Sequence, residues 1–189
     1  MIATDGDWAT AGAVRTLSNV GATGGNVHKA GKPFTLSAQA QNASGVLTAQ
    51  YSGTPTVALT CILAAGCAVA NLGTLTFTST FTGGALNTSS TYDDAGSFTL
   101  QLTDTTFAAV DAADSTPALR YIQSAVIIVG RFVPDHFALA TSTNGGLYTF
   151  GSGSCATRSF TYVGPTVGYK TPPSISVTAQ NASNGTTKN

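Results

Sequence analysis

The chain has 189 residues, and charged residues make up only 8% of them, against about a quarter in an average globular protein. The formal net charge is zero and no basic stripe is present, which argues against a nucleic-acid-binding protein. A hydrophobic content of 42% supplies enough apolar side chains for a packed core and excludes a disordered chain. No apolar run reaches the about 20 residues that a membrane-spanning helix needs.

Alternating apolar and polar residues predict short β-strands along most of the chain. One or two strands are expected within residues 2–27, and the strand at 97–103 has the clearest pattern, with Phe98, Leu100 and Leu102 facing inward. A nearly continuous apolar run at 125–132 predicts a central strand buried on both faces. The remaining strands are predicted at residues 34–41, 46–51, 56–61, 72–81, 137–140, 147–150, 159–163 and 175–180.

A duplicated segment divides the chain into two units. The sequence Ala-Gln-Asn-Ala-Ser at residues 40–44 returns at residues 179–183, which is 139 positions later. A repeat at this spacing indicates a domain copied in tandem. We therefore predict one β-domain over residues 1–133, followed at 134–189 by a proline linker and the early strands of an incomplete second unit.

The predicted fold class is all-β, with an immunoglobulin-like β-sandwich followed by the start of a second, tandem β-sandwich unit. Several short strands with turn signals about every ten residues are typical of a sandwich. Asp94 and Gly96 precede the strand at 97–103, which is similar to the turn that leads into a late strand of immunoglobulin-like domains. Residues 104–121 fit either a short helix, capped by Thr105 or Thr106, or a long loop.

The chain has three cysteines. Cys61 and Cys67 are close enough in sequence to form a disulfide that closes a small loop, and Cys155 is then left over. The alternative is three buried thiols. Too few ligands accompany these cysteines for a zinc site, so we expect neither a metal nor another cofactor.

Residues 130–137 connect the two predicted units. Pro134 removes a backbone donor and stiffens the path, as at a strand end that enters a linker. On an extended strand Asp135 and His136 point to opposite faces, so they are not expected to pair. The predicted linker residues are Arg131, Phe132, Pro134, Asp135, His136 and Phe137.

Three segments resemble MshQ-like proteins of the mannose-sensitive haemagglutinin type IV pilus system. They are the strand that contains the first repeat copy, the turn and strand at 91–100, and the string Gly-Arg-Phe-Val-Pro-Asp-His-Phe at 130–137. The resemblance covers about residues 34–189 and matches a C-terminal β-rich region of unknown function. It implies an exported, cell-surface protein without a known catalytic activity, and it assigns no functional residues.

The sequence therefore predicts a non-catalytic structural or adhesive module of a bacterial cell-surface appendage. The expected location is extracellular or at the cell surface, as part of a longer exported chain. Expected partners are other copies of the chain or other pilus proteins, with filament formation by strand exchange after Pro134. The alternative is a carbohydrate-binding adhesin module, for which the candidate aromatic side chains are Trp8, Tyr148, Tyr162 and Tyr169.

Overall fold

The computed structural model describes residues 1–7, 9–62, 66–147 and 168–189. Within these ranges the chain is all-β, as predicted, with one four-residue helix, α1 (Pro117–Arg120), and 3₁₀ turns at Val69–Asn71 and Ala109–Asp111. The strands are β1 (Ile2–Gly6), β2 (Val14–Thr16), β3 (His28–Lys29), β4 (Pro33–Gln39), β5 (Thr56–Ile62), β6 (Leu75–Thr76), β7 (Ala85–Tyr92), β8 (Gly96–Asp104), β9 (Ile122–Gln123), β10 (Ile127–Val133), β11 (His136–Thr143), β12 (Gly146–Leu147), β13 (Tyr169–Thr171) and β14 (Ser174–Gln180).

The chain forms two compact units. The first contains Met1–His136 together with Gln180–Asn189, and the second contains Phe137–Ala179. In the second unit β11 pairs with β14, and β12 pairs with β13. The predicted boundary between residues 133 and 134 stays a prediction, but the last ten residues belong to the first unit because they are hydrogen-bonded to it.

Two sheets form the first unit. One has the strand order β2-β1-β4-β7-β6, and the other has the order β3-β10-β8-β5 with β9 also paired to β8. An immunoglobulin constant-type sandwich has the sheets A-B-E-D and C-F-G, with the letters given in chain order. The neighbouring strands β1-β4-β7-β6 match A-B-E-D, and β5-β8-β10 match C-F-G. This order favours the immunoglobulin-like assignment, which stays a prediction.

Aromatic side chains from both sheets fill the core. Phe34 and Tyr92 come from one sheet, and Phe98 and Phe132 come from the other. The ring centroids of Tyr92 and Phe98 are 4.5 Å apart, and those of Phe34 and Phe132 are 5.3 Å apart. Phe132 is only 1% exposed and lies in β10, so it is a core residue of the first unit rather than a linker residue.

Several predicted strands differ in extent from the observed ones. Residues 46–51 form no strand, and within 72–81 only Leu75–Thr76 pairs. The strand at 125–132 is buried on one face only, because Ile128 is 38% exposed while Val129 is fully buried. This strand pairs antiparallel with β8 in a sheet whose outer face meets solvent, whereas burial on both faces is typical of parallel sheets.

A buried ionic group ties β1 to β2 and β3. Arg15 donates from Nε and Nη2 to the two carboxylate oxygens of Asp5, at 2.7 and 2.8 Å, and the same carboxylate binds Nδ1 of His28. Burial alone would raise the pKa of Asp5, but the hydrogen bonds from Arg15 and His28 outweigh it and hold the pKa below its usual value. Asp5 is only 9% exposed, so losing these partners would leave a buried charge.

The predicted disulfide is present between Cys61 and Cys67, whose Cα atoms are 5.7 Å apart. Cys67 is 2% exposed and packs on Gly96 at the start of β8. Gly96 has φ +103°, and an added Cβ would lie 2.8 Å from Cβ of Cys67. The disulfide therefore holds Cys67, two residues before the 3₁₀ turn at Val69–Asn71, next to the start of β8. Cys155 lies outside the described residues.

We predict that Asp5→Asn lowers the free energy of unfolding by about 3 kcal/mol at neutral pH, because Arg15 loses its buried counter-charge. The depressed pKa of Asp5 stabilises the fold above its unfolded value, and this contribution is lost as pH falls through the lower folded value. Urea unfolding at a series of pH values should therefore show that the free energy of unfolding of the variant falls less steeply as the pH is lowered.

The stability of Asp5→Asn should still fall at acid pH, because a second carboxylate also contributes. Burial would raise the pKa of Asp104, but hydrogen bonds from Tyr51 and Thr106 outweigh burial and lower it. Asp114→Asn, at an exposed position, is the matched control and should leave the stability unchanged. Equal losses in the two variants would contradict a role for the buried ionic group.

Replacing both Cys61 and Cys67 by serine should lower the free energy of unfolding by about 2 kcal/mol, which is the chain-entropy value for a ring this short. Denaturant unfolding of the oxidised protein and the double variant measures this difference. Cys155→Ser, which leaves the pair intact, is the control. A double variant as stable as the parent protein would show that the disulfide adds nothing to the folded state.

Candidate functional site

The C-terminal segment Gln180–Asn189 folds into a turn organised by Asn181. Its side-chain oxygen accepts hydrogen bonds from the backbone N–H groups of Ser183 and Gly185, at 3.0 and 2.9 Å. Its own N–H donates to the carbonyl of Gly185 at 2.8 Å, and Asn184 takes a positive φ of 64°. We call this segment the second-copy turn.

Residues 41–50, which we call the first-copy turn, have the same geometry. The side-chain oxygen of Asn42 accepts from the N–H groups of Ser44 and Val46, both at 3.0 Å, and the N–H of Asn42 donates to Val46 at 2.9 Å. Gly45 takes the positive φ, +77°. Each bond has its counterpart 139 residues later, so the repeat found in the sequence is also a repeat of backbone structure.

The first residues of the second-copy turn are hydrogen-bonded to the rest of the first unit. The N–H of Ala182 donates to the carbonyl of Ala30 at 2.9 Å, and Nδ2 of Asn181 donates to the carbonyl of Asp93 at 2.8 Å. Ala30 is fully buried, and Asn181 is 7% exposed. One asparagine therefore organises the turn with its oxygen and attaches the turn with its nitrogen.

The end of the same turn binds the carboxylate of Asp94. This side chain is 3% exposed, and its Oδ1 accepts from the N–H groups of Ala95, Lys188 and Asn189 at 2.8, 2.9 and 3.4 Å. A buried carboxylate is costly unless donors surround it. Asp94 therefore joins the corner between β7 and β8 to the end of the chain.

The side chain of Asn189 completes the attachment. It accepts from the N–H of Ala68 at 2.8 Å and donates to the carbonyl of Asn71 at 2.9 Å, so it spans the turn that follows the disulfide. Gly31 lies under the turn with φ +79°, and an added Cβ would be 2.9 Å from N of Ala182. We define the docking surface as the groups that receive the second-copy turn: Ala30, Gly31, Ala68, Asn71, Asp93 and Asp94.

The predicted linker residues Pro134 and Asp135 are held by the first unit. Nζ of Lys29 donates to both of their carbonyls at 3.0 Å, and the N–H of Asp135 donates to Gln180 at 2.7 Å. The expectation that Asp135 and His136 point apart is wrong: Nδ1 of His136 is 3.1 Å from Oδ2 of Asp135. Asp135 lies in a bend before β11, where the alternation of an extended strand does not hold.

Arg131, Phe137 and Tyr169 are not among the residues that form the docking surface. Arg131 lies in β10 and donates to the carbonyl of Ala22, and Phe137 is 69% exposed at the start of the second unit. Among the candidate glycan-binding aromatics, Tyr169 is 55% exposed in β13. Trp8, Tyr148 and Tyr162 lie outside the described residues, so glycan binding stays a prediction.

The docking surface offers hydrogen-bond acceptors and donors for a peptide backbone. Within the described ranges no cluster of three or more His, Cys, Asp or Glu side chains could hold a metal ion. Sequence reasoning assigned Asp94 a structural role in its own turn but missed its contact with the C-terminus. The repeat identified the turn, but no pattern in the sequence indicated where its second copy binds.

None of the described helices has the length and apolar character needed to cross a membrane.

Comparison with protein-family models matches residues 94–189 to the family described as DUF6701, third domain. The matched segment starts at the buried carboxylate of Asp94 and ends with Asn189, so it begins and ends at two residues that are hydrogen-bonded to each other. No curated protein and no solved structure gives a significant match to the chain.

We predict that Asn181→Ala lowers the free energy of unfolding by about 1–2 kcal/mol more than Asn42→Ala does. Both variants lose the same bonds within their turns, but only Asn181 also donates to the carbonyl of Asp93. Denaturant unfolding gives the difference, and hydrogen exchange of the Ala182 and Lys188 amides should accelerate only in Asn181→Ala. Equal losses in the two variants would show that the attachment contributes no stability.

Proposed function

We propose that this chain, which belongs to the family described as DUF6701, third domain, is a non-catalytic structural or adhesive module of a bacterial cell-surface appendage. The resemblance to MshQ-like proteins supports the narrower proposal of an accessory component of a type IV pilus system. In this proposal the module connects and orients neighbouring domains, and it carries out no chemical reaction.

The observation that carries this proposal is the attachment of a repeated turn to the first unit. In the described part of the chain, five backbone or side-chain groups within residues 30–94 form hydrogen bonds with the turn, and backbone N–H groups donate most of these bonds. A surface that recognises the backbone of a copied segment is suited to a chain built from repeated domains.

Two further properties support the proposal, one concerning the location of the chain and one its association. The Cys61–Cys67 disulfide is of a kind that persists in oxidising compartments and is rare in reducing ones. The low charge and the many Thr, Ser and Asn residues leave a surface that associates through hydrogen bonds rather than through a net electric field.

Partners in this proposal are other copies of the chain or other proteins of the appendage. The described strands of the second unit pair with one another, β11 with β14 and β12 with β13. In the described part of the chain each of these sheets has two strands and so has edges with no paired strand, and strand addition by a neighbouring chain is part of the proposal.

Antibodies raised against the purified chain test the location and the association. We expect them to label intact cells of the bacterium that encodes the chain, and to detect the chain among appendages sheared from those cells. Cells with the gene deleted are the control for specificity, and a cytoplasmic protein is the control for lysis. Labelling that requires permeabilised cells, together with absence from the sheared fraction, would overturn the proposal.

A further inference from the structure

We propose that the first-copy turn is itself a binding element, and that its partner is a domain of this same type whose docking surface is unoccupied. The proposal rests on the function proposed above and identifies one partner of the module. It would make the association head-to-tail, with the first-copy turn of one domain on the docking surface of the next.

The two turns differ in burial although their backbones have the same geometry. All residues of the first-copy turn are exposed, whereas in the second-copy turn Asn181 is 7% and Thr187 is 9% exposed. Nδ2 of Asn42, the group equivalent to the one that binds Asp93, has no hydrogen-bond partner in the described part of the chain. The first-copy turn thus has the structure of the bound turn but occupies no such surface.

The sequence is retained where the second-copy turn is buried. The two buried positions, Asn181 and Thr187, correspond to Asn42 and Thr48, which are the same residue types. Gly185 and Thr186 are exposed, and there the first copy has Val46 and Leu47 instead. The first copy therefore keeps the two side chains that are buried in the second copy, and the differences at Gly185 and Thr186 lie at positions that are exposed there.

Among the remaining contacts, only those of the Asn189 side chain depend on side-chain identity. Ala182 and Lys188 bind through their backbone N–H groups, and the corresponding residues, Ala43 and Ala49, have the same groups to donate. Only Asn189 binds through its side chain at a position that differs, where the first copy has Gln50 with the same amide group. The first-copy turn can supply each of these bonds.

The turn and the docking surface lie at opposite ends of the first unit. Gly31 precedes β4 and Asp93 follows β7, and these antiparallel strands pair Pro33 with Thr91 at that end. The first-copy turn leaves the other end of β4, about 23 Å away for a strand of seven residues. Contacts between opposite ends of identical units are heterologous, and they generate linear arrays unless the rotation between successive units closes a ring.

The test uses the full chain and vacates its docking surface. Ala182→Glu places a long, negatively charged side chain against Gly31, beside Asp93 and Asp94, and should displace the second-copy turn. Sedimentation velocity should then show an average mass that rises from 19.0 kDa toward at least twice that value as the concentration approaches about 1 mM. The parent chain, whose docking surface is occupied, should show no such rise from this contact over the same range.

The matched control introduces the same substitution in the first copy. Ala43 is exposed, so Ala43→Glu alone should leave stability unchanged, and the double variant Ala43→Glu/Ala182→Glu should return to a monomer. A monomeric Ala182→Glu, or a double variant that associates as strongly as Ala182→Glu, would overturn the inference. Either result would leave the proposed function standing, because cell labelling tests that function separately.

A second pair of variants applies if Ala182→Glu does not unfold cooperatively. Asn181→Ala weakens the attachment more mildly, and Asn42→Ala is its counterpart. Asn181→Ala should associate at high concentration, and adding Asn42→Ala should abolish that association. Association that persists after Asn42→Ala would show that another surface, such as a strand edge, causes it.

Discussion

The buried carboxylate of Asp94 is the constraint on which the arrangement of the first unit depends. It lies at the corner between the two sheets and accepts N–H groups from its neighbour Ala95 and from Lys188, which is 94 residues away. A carboxylate with 3% exposure is tolerated only where such donors are present. The corner and the C-terminal segment therefore stabilise each other, and of the residues between them Phe137–Ala179 form a separate unit.

Backbone N–H and carbonyl groups form a large part of this attachment, and the side chains of Asn181, Asn189 and Asp94 form the rest. Ala182 and Lys188 donate their N–H groups, and Ala30 and Asp93 accept with their carbonyls. Backbone recognition tolerates sequence differences between repeats as long as the turn keeps its shape. The two copies keep their organising asparagine, and they use either Gly45 or Asn184 at the position that needs a positive φ.

Sequence patterns predicted the strands that alternate strongly and missed those that do not. β8 was predicted because Phe98, Leu100 and Leu102 alternate with polar residues, and all three are buried. β7 was missed because one of its inward positions is Ser90, which is 1% exposed, so hydrophobicity did not mark the buried face. Phe132 was assigned to a linker because its neighbours resemble one, although its ring packs against Phe34 and Tyr92.

The sequence by itself determined the all-β class and the existence of a repeated segment, because alternation and identity are read directly from the chain. It predicted the Cys61–Cys67 disulfide but left three buried thiols as the alternative, and the structure decided between them. Only the tertiary structure decided that one copy of the turn is buried against Ala30 and Asp93 while the other is exposed. The two segments have the same local backbone bonds but different surroundings, and those surroundings are set by strand pairings between residues distant in sequence.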